Sequence, residues 1–142
     1  MAGVANLQLA DQKFAAADYK QAGTLYTKAA TVLKSDLLLG RARLGAAISQ
    51  IHGGDKAAGE AALKAIGADQ SLLKTVRAEA TFHLASVAYE AGRTDEVKKL
   101  IEEVTKIDLG GPWSQRAMAL QMTLQPDGTP SGGAVSFKPD GK

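Results

Sequence analysis

The chain has 142 residues and a net charge of +2, with 17 basic against 15 acidic side chains; this is the size of one domain, and it carries no field that would draw nucleic acid or an acidic membrane. It contains no cysteine, which excludes disulfides, thiolate metal sites and thiol catalysis. Alanine occurs 26 times, aromatic residues make up only 5%, and all four prolines follow residue 111, so the stretch before them reads as helix.

In chain order the pattern predicts helices near 4–17, 19–34, 36–53, 55–67, 73–91 and 94–107. Met1-Ala2-Gly3-Val4 has neither a basic region nor an apolar run, so no signal peptide is expected. Asp18 can cap the second helix, Ser35 or Asp36 the third, Asp55 the fourth, and Thr94 or Asp95 the sixth. Gly53-Gly54 and Gly92 suit the left-handed conformation that ends a helix. The longest apolar run, around Leu37-Leu38-Leu39, is far short of the ~20 residues of a membrane span, so no membrane insertion is expected.

Gly110-Gly111-Pro112 interrupts this series. Proline is tolerated in the first helical turn, so a seventh helix is predicted over 112–124. Trp113, Ala117, Leu120 and Leu124 fall on one face of it, with Gln115, Arg116 and Gln125 outward, as a terminal cap requires. After Gln125 the composition changes to Pro, Gly, Ser and Asp. Residues 126–142 are expected to be a flexible tail or linker, with a short strand over Ala134-Val135-Ser136-Phe137 as the other reading.

One unit recurs three times. Leu9-Ala10, Ala17-Asp18, Ala22, Tyr26 and Ala29 are matched 37 residues later by Ala46-Ala47, Gly54-Asp55, Gly59, Leu63 and Ile66. A further displacement of 38 gives Leu84-Ala85, Gly92-Arg93, Val97, Ile101 and Val104. Each unit reads as two helices and a tight turn. Small residues (Ala10, Ala47, Ala85, Ala22, Gly59) sit at the close crossings, with larger apolar ones beside them.

On these residues the chain resembles the tetratricopeptide repeat family. The resemblance rests on Ala10, Asp18-Tyr19, Ala22, Tyr26 and Ala29 in the first copy, and on Gly54-Asp55 and Gly92 at the later turns. The repeat is longer than the family's usual one, and the first two copies lack its closing proline. The resemblance implies an all-α fold: an α-solenoid of three helix-turn-helix repeats (about 4–34, 36–67 and 73–107) with a capping helix, together forming a domain over 1–125. It also implies an extended concave surface lined by the first helix of each pair. Counted from the landmarks, that surface holds Leu7, Asp11 and Phe14, then Arg41, Leu44, Ile48, Ile51 and His52, then Glu79, Phe82, Ser86, Tyr89 and Glu90.

Leu73 to Ala80, Tyr89 to Gly92 and Gly111 to Ala117 resemble a narrower group. These are membrane-anchored bacterial envelope proteins of the YfgM type, ancillary to the secretory translocon. That likeness implies a periplasmic or envelope setting; the cytoplasm is the other reading.

The expected occupant of the concave face is a protein or peptide partner, an apolar peptide or helix suiting its mixture of aromatic, aliphatic and singly charged residues. Acidic chaperone tails are not expected, because Leu7, Asp11, Leu44 and Ile48 stand where the family's basic clamp would be. The other readings are self-association, as a possible homodimer, or cover by the seventh helix. Phe82→Ala with Tyr89→Ala is expected to abolish partner capture while leaving folding intact.

Nothing points to catalysis, a metal or a cofactor. His52 and His83 lie outside any H-E-x-x-H pattern, and adjacent Glu102-Glu103 point about 100° apart on a helix. Gly53-Gly54-Asp55-Lys56 lacks the spacing of a phosphate loop, and no strand precedes it. A noncatalytic scaffold is expected.

Overall fold

Why the chain breaks where it does is visible in three turns. At the end of the first helix the Asp18 N–H donates to the Lys13 carbonyl and the Ala17 N–H to Phe14. The same pair of bonds recurs at Asp55 to Gln50 with Gly54 to Ile51, and at Arg93 to Ala88 with Gly92 to Tyr89. Each turn thus satisfies orphan carbonyls of the helix it ends by one left-handed residue. The computed structural model describes residues 2–124. Met1 and residues 125–142 lie outside the described residues, and with them the outward placing of Gln125, the tail reading for 126–142 and the strand reading for 134–137.

Seven helices make up the described chain: α1 (Ala2–Ala15), α2 (Tyr19–Val32), α3 (Asp36–His52), α4 (Lys56–Ala68), α5 (Lys74–Glu90), α6 (Thr94–Ile107) and α7 (Pro112–Met122). The fold is all-α. Asp18 caps α2 by accepting from the Gln21 N–H, Ser35 caps α3 through Leu38, and Asp55 caps α4 through Ala58. The α6 expectation is corrected. Thr94 and Asp95 lie inside the first turn, and Arg93 is the cap residue, with no capping bond from its side chain. Acidic Asp95 and Glu96 still favour that helix start through its dipole. Before α7 the Asp108 carboxylate accepts from the Trp113 N–H at 3.1 Å, and the Ser114 hydroxyl donates to the Asp108 carbonyl at 2.6 Å.

Each helix packs on its neighbours in the chain, and α3 touches α5 as α5 touches α7. α3, α5 and α7 therefore meet in succession. α3 and α5 are buried on more than one face. α3 buries Gly40, Ala42, Leu44, Ala47 and Ser49, and α5 buries Val76, Ala78, Ala80, Thr81, Leu84, Ala85 and Ala88. α6 by contrast shows one apolar stripe, Val97, Leu100, Ile101 and Val104. Two clusters form the core. Leu7, Ala10, Ala22, Tyr26, Ala29 and Ala42 join α1, α2 and α3. The other runs from Leu44 through Leu63, Leu84 and Val97 to Ala117 of α7.

Alanine is the commonest residue in both clusters because the helices approach closely. A Cβ on Gly59 would stand 2.4 Å from Ile51 Cγ1, and one on Gly40 would stand 2.6 Å from Val76 Cγ2. The first is the α3–α4 crossing expected from the repeat; the second, between α3 and α5, had no signal in the pattern.

Polar ties close the bend between α4 and α5. The Arg77 Nε donates to the Gly67 carbonyl at 3.2 Å and Arg43 pairs with Asp69 at 3.1 Å. The Ser71 hydroxyl and N–H, with Arg43, hold the Asp69 carboxyl below the usual carboxylate range. Among the described residues no helix is long and apolar enough to cross a membrane.

Candidate functional site

A groove of about 360 Å³ opens where α1, α2, α3 and α5 converge. Its floor is built from buried Leu44 and Val76 with the ring of Tyr26, and its walls from Phe14, Ile48 and Leu37. Leu37 is 59% exposed, a large apolar side chain left at the mouth. Gly45 belongs to this architecture, since a Cβ there would lie 2.7 Å from the Tyr26 ring. Glycine at that place lets the aromatic ring approach α3 closely.

The rim is polar and largely self-neutralised on one side. Asp11 of α1 accepts from the Tyr26 hydroxyl at 2.5 Å and pairs with Arg41 of α3. Burial, and then the Asp11 hydrogen bond and charge, raise the Tyr26 phenol well above the ordinary tyrosine range; Arg41 opposes this more weakly. Arg41 itself remains 58% exposed along its side chain. Across the groove, Glu79 of α5 also lines the space, with His83 Nε2 3.4 Å from its carboxylate.

Five of the residues expected on the binding face line the groove, Phe14, Arg41, Leu44, Ile48 and Glu79, and Asp11 adjoins it through its bonds to Tyr26 and Arg41. Leu44 does so as buried floor, not as an exposed contact. Leu7, counted on the same face, belongs to the core of α1 and α2.

The others are placed elsewhere. Ile51 faces Gly59 at the α3–α4 crossing, because α4 covers that side of α3. His52 stacks in an aromatic group at the end of α3, 5.3 Å from the Tyr19 ring and 5.8 Å from the Phe14 ring. Phe82 packs under α7, 5.5 Å from Trp113, and a hydrogen bond of 2.9 Å joins Tyr89 Oη to Thr123 Oγ1. Arg116 lies over the same indole at 4.5 Å. Ser86 is half-buried and Glu90 is exposed at the end of α5, and neither lines the groove. The expectation for Phe82→Ala with Tyr89→Ala is therefore corrected: these side chains fasten the seventh helix.

Tyr26, Leu37, Thr75 and Val76 line the groove and were not anticipated. Tyr26 carried a signal, as the aromatic landmark of the second helix, but read as packing alone. Val76 and Thr75 precede the counted face of α5 by one turn.

Two broader depressions lie elsewhere. One, about 680 Å³, runs beside α2 and is edged by Lys20, Thr24 and Lys28. The other, about 1030 Å³, separates α4 from α6 and is bridged by Arg93, which meets Glu60 at 3.3 Å. The α4–α6 depression also joins buried Leu84 and Leu100 to opposed charges; the smaller groove differs from both in the buried aromatic ring of Tyr26 in its floor. Among the described residues no group of three or more His, Cys, Asp or Glu is close enough to hold a metal ion. No family model, no curated protein and no solved structure matches the chain.

Proposed function

We propose that this protein is a noncatalytic protein–protein interaction module, a tetratricopeptide-like α-solenoid of three helix hairpins with α7 as cap. It holds an apolar peptide segment of a partner in the groove between α1–α2, α3 and α5. The observation that carries the reading is the convergence of Phe14, Arg41, Ile48 and Glu79, from three helices, on one groove with a buried apolar floor. Apolar anchors provide affinity there and rim charges fix register, the usual division of labour in helix-in-groove and extended-peptide recognition. The three identical turns and the meeting of α3, α5 and α7 in succession support the solenoid reading. The bacterial envelope is the setting implied by the likeness of residues 73–80 and 111–117 to envelope repeat proteins.

The test selects peptides from a random display library on the full chain. Ile48→Asp and Glu79→Arg should each weaken the selected peptides at least tenfold while the helical circular dichroism stays that of the parent. Peptides that bind both variants as tightly as the parent would remove the groove from the function.

A second reading has its own observation. Met118 and Met122 are 55% and 85% exposed and lie one turn apart on α7, where a polar outer face was expected. Two copies meeting through α7 would cover them. Sedimentation velocity at micromolar concentration decides: a dimer split by Met118→Glu with Met122→Glu supports self-association, and a monomer throughout removes it.

A further inference from the structure

We propose that the groove is filled by the chain's own C-terminal segment Val135-Ser136-Phe137-Lys138, so that a partner enters only by displacing it. The proposal rests on the reading of the groove as a peptide site.

The point of departure is favourable. The Thr123–Tyr89 hydrogen bond sets the end of α7 against the C-terminal part of α5. Glu79, Phe82 and Tyr89 share one face of that helix, and α7 covers its Phe82–Tyr89 part, so a returning chain passes beside α7 and the distance along α5 is the shortest span it must cross. From Tyr89 back to Val76 along α5 is about 20 Å at ~1.5 Å per residue.

Chain length matches that span. About 13 residues lead from Leu124 to Phe137, and they include several of Gly, Pro and Ser. A generic linker of that length has an r.m.s. end-to-end distance of roughly 20 Å. Effective concentration is highest when linker length and span agree, and for short linkers it is on the order of millimolar. A contact with an intrinsic Kd of ~0.1–1 mM would then be filled for about half to nine-tenths of the time.

The chemistry also matches. Ala134, Val135 and Phe137 are the only aliphatic or aromatic residues after Leu124. In an extended segment residues two apart share a side, so Val135 and Phe137 can enter an apolar floor together. Lys138 follows directly. Arg41 is engaged by Asp11, whereas Glu79 has only the His83 imidazole at 3.4 Å and is the rim carboxylate for a cation to meet.

The chain has no cysteine, so Ser136→Cys offers a single attachment for a nitroxide. With the label in place, the resonances of Ile48, Val76 and Glu79 should broaden independently of protein concentration, and Phe137→Asp should restore them. In a second arm, a fluorescent peptide of residues 130–142 should bind the full-length Phe137→Asp chain two- to tenfold more tightly than the parent. Unbroadened Ile48 and Val76 resonances overturn the proposal. So does broadening that transfers from a labelled to an unlabelled copy, which would make the occupant a second molecule, and so does equal affinity of the peptide for the two chains. If library peptides still depend on Ile48 in any of these cases, the tail alone has failed. If they do not, the groove reading has failed with it.

Discussion

Ala17 and Gly54 hold the same place in successive helix turns, both in left-handed backbone, at φ of 63° and 103°. Gly92 completes the series at 77°. An L-residue with a Cβ is disfavoured in this conformation by roughly 1–2 kcal/mol, and the first turn bears that cost where the other two do not. Ala17→Gly should therefore stabilise the fold by about 0.5–1 kcal/mol, after the larger unfolded-state entropy of glycine is subtracted. Thermal melting checks it, with Gly54→Ala expected to move the midpoint the other way.

Tyr26 links stability to alkaline pH. Its neutral phenol is favoured in the fold by burial and by donation to Asp11. The folded value is raised, so this contribution is whole below the unfolded tyrosine value of ~10 and is lost as pH rises from there through the folded value. The unfolding free energy from denaturant melts should fall above pH ~10, by at most ~1.4 kcal/mol per pH unit from this group, and Tyr26→Phe should flatten that slope. One of the three tyrosines should also show its phenolate absorbance late in an alkaline titration. Three tyrosines titrating together would remove the buried Tyr26–Asp11 bond as the cause.

Ala85 is fully buried within α5, in the larger of the two core clusters. Ala85→Glu places an unpaired carboxylate there and should destabilise by several kcal/mol, enough to unfold a marginal domain. Circular dichroism reads the outcome directly; a variant that melts like the parent would show the crossing to be open to water.

Ser49 is 1% exposed and its hydroxyl has no hydrogen-bond partner among the described residues. The backbone of α2 at Gly23 stands against it, a Cβ there falling 3.5 Å from Ser49 Cβ. Ser49→Ala removes an unsatisfied buried hydroxyl at little change of volume and should stabilise by about 1 kcal/mol. A loss of stability would mean that the hydroxyl is satisfied in solution.

Phe82→Ala with Tyr89→Ala should loosen α7 and leave the groove between α1–α2, α3 and α5 in place. Trp113 is the single tryptophan of the chain and sits on Phe82. Its emission should shift to the red at denaturant concentrations that leave most of the helical signal intact. An unshifted spectrum would detach α7 from this pair.

The helix boundaries were legible because their causes are local. Asp18, Ser35 and Asp55 cap helices through N–H groups three residues away, and Gly54 and Gly92 end helices by their own backbone freedom. Where a cap was misjudged, at Thr94 and Asp95, the misplacement is one or two residues within one turn. The candidate groove was legible in part. Asp11, Phe14, Arg41, Ile48 and Glu79 followed from a face counted along each odd helix, but Ile51, His52, Phe82 and Tyr89 lay on the same counted faces and went elsewhere.

The reason is what covers each face. Ile48 and Ile51 are both apolar and three residues apart on α3, yet Gly59 admits α4 against Ile51 and leaves Ile48 to the groove. Phe82 and Tyr89 would face the same side as Glu79, but Trp113 and Thr123 of the last helical segment take that space. Helix identity, capping and the threefold turn are short-range properties, decided within a few residues by hydrogen-bond geometry and backbone sterics, and the amino-acid string carries them unaided. Which apolar side chains end as floor, as crossing or as open surface depends on contacts between residues far apart in the chain, such as Tyr89 with Thr123, 34 positions away, and these exist only once the helices have packed.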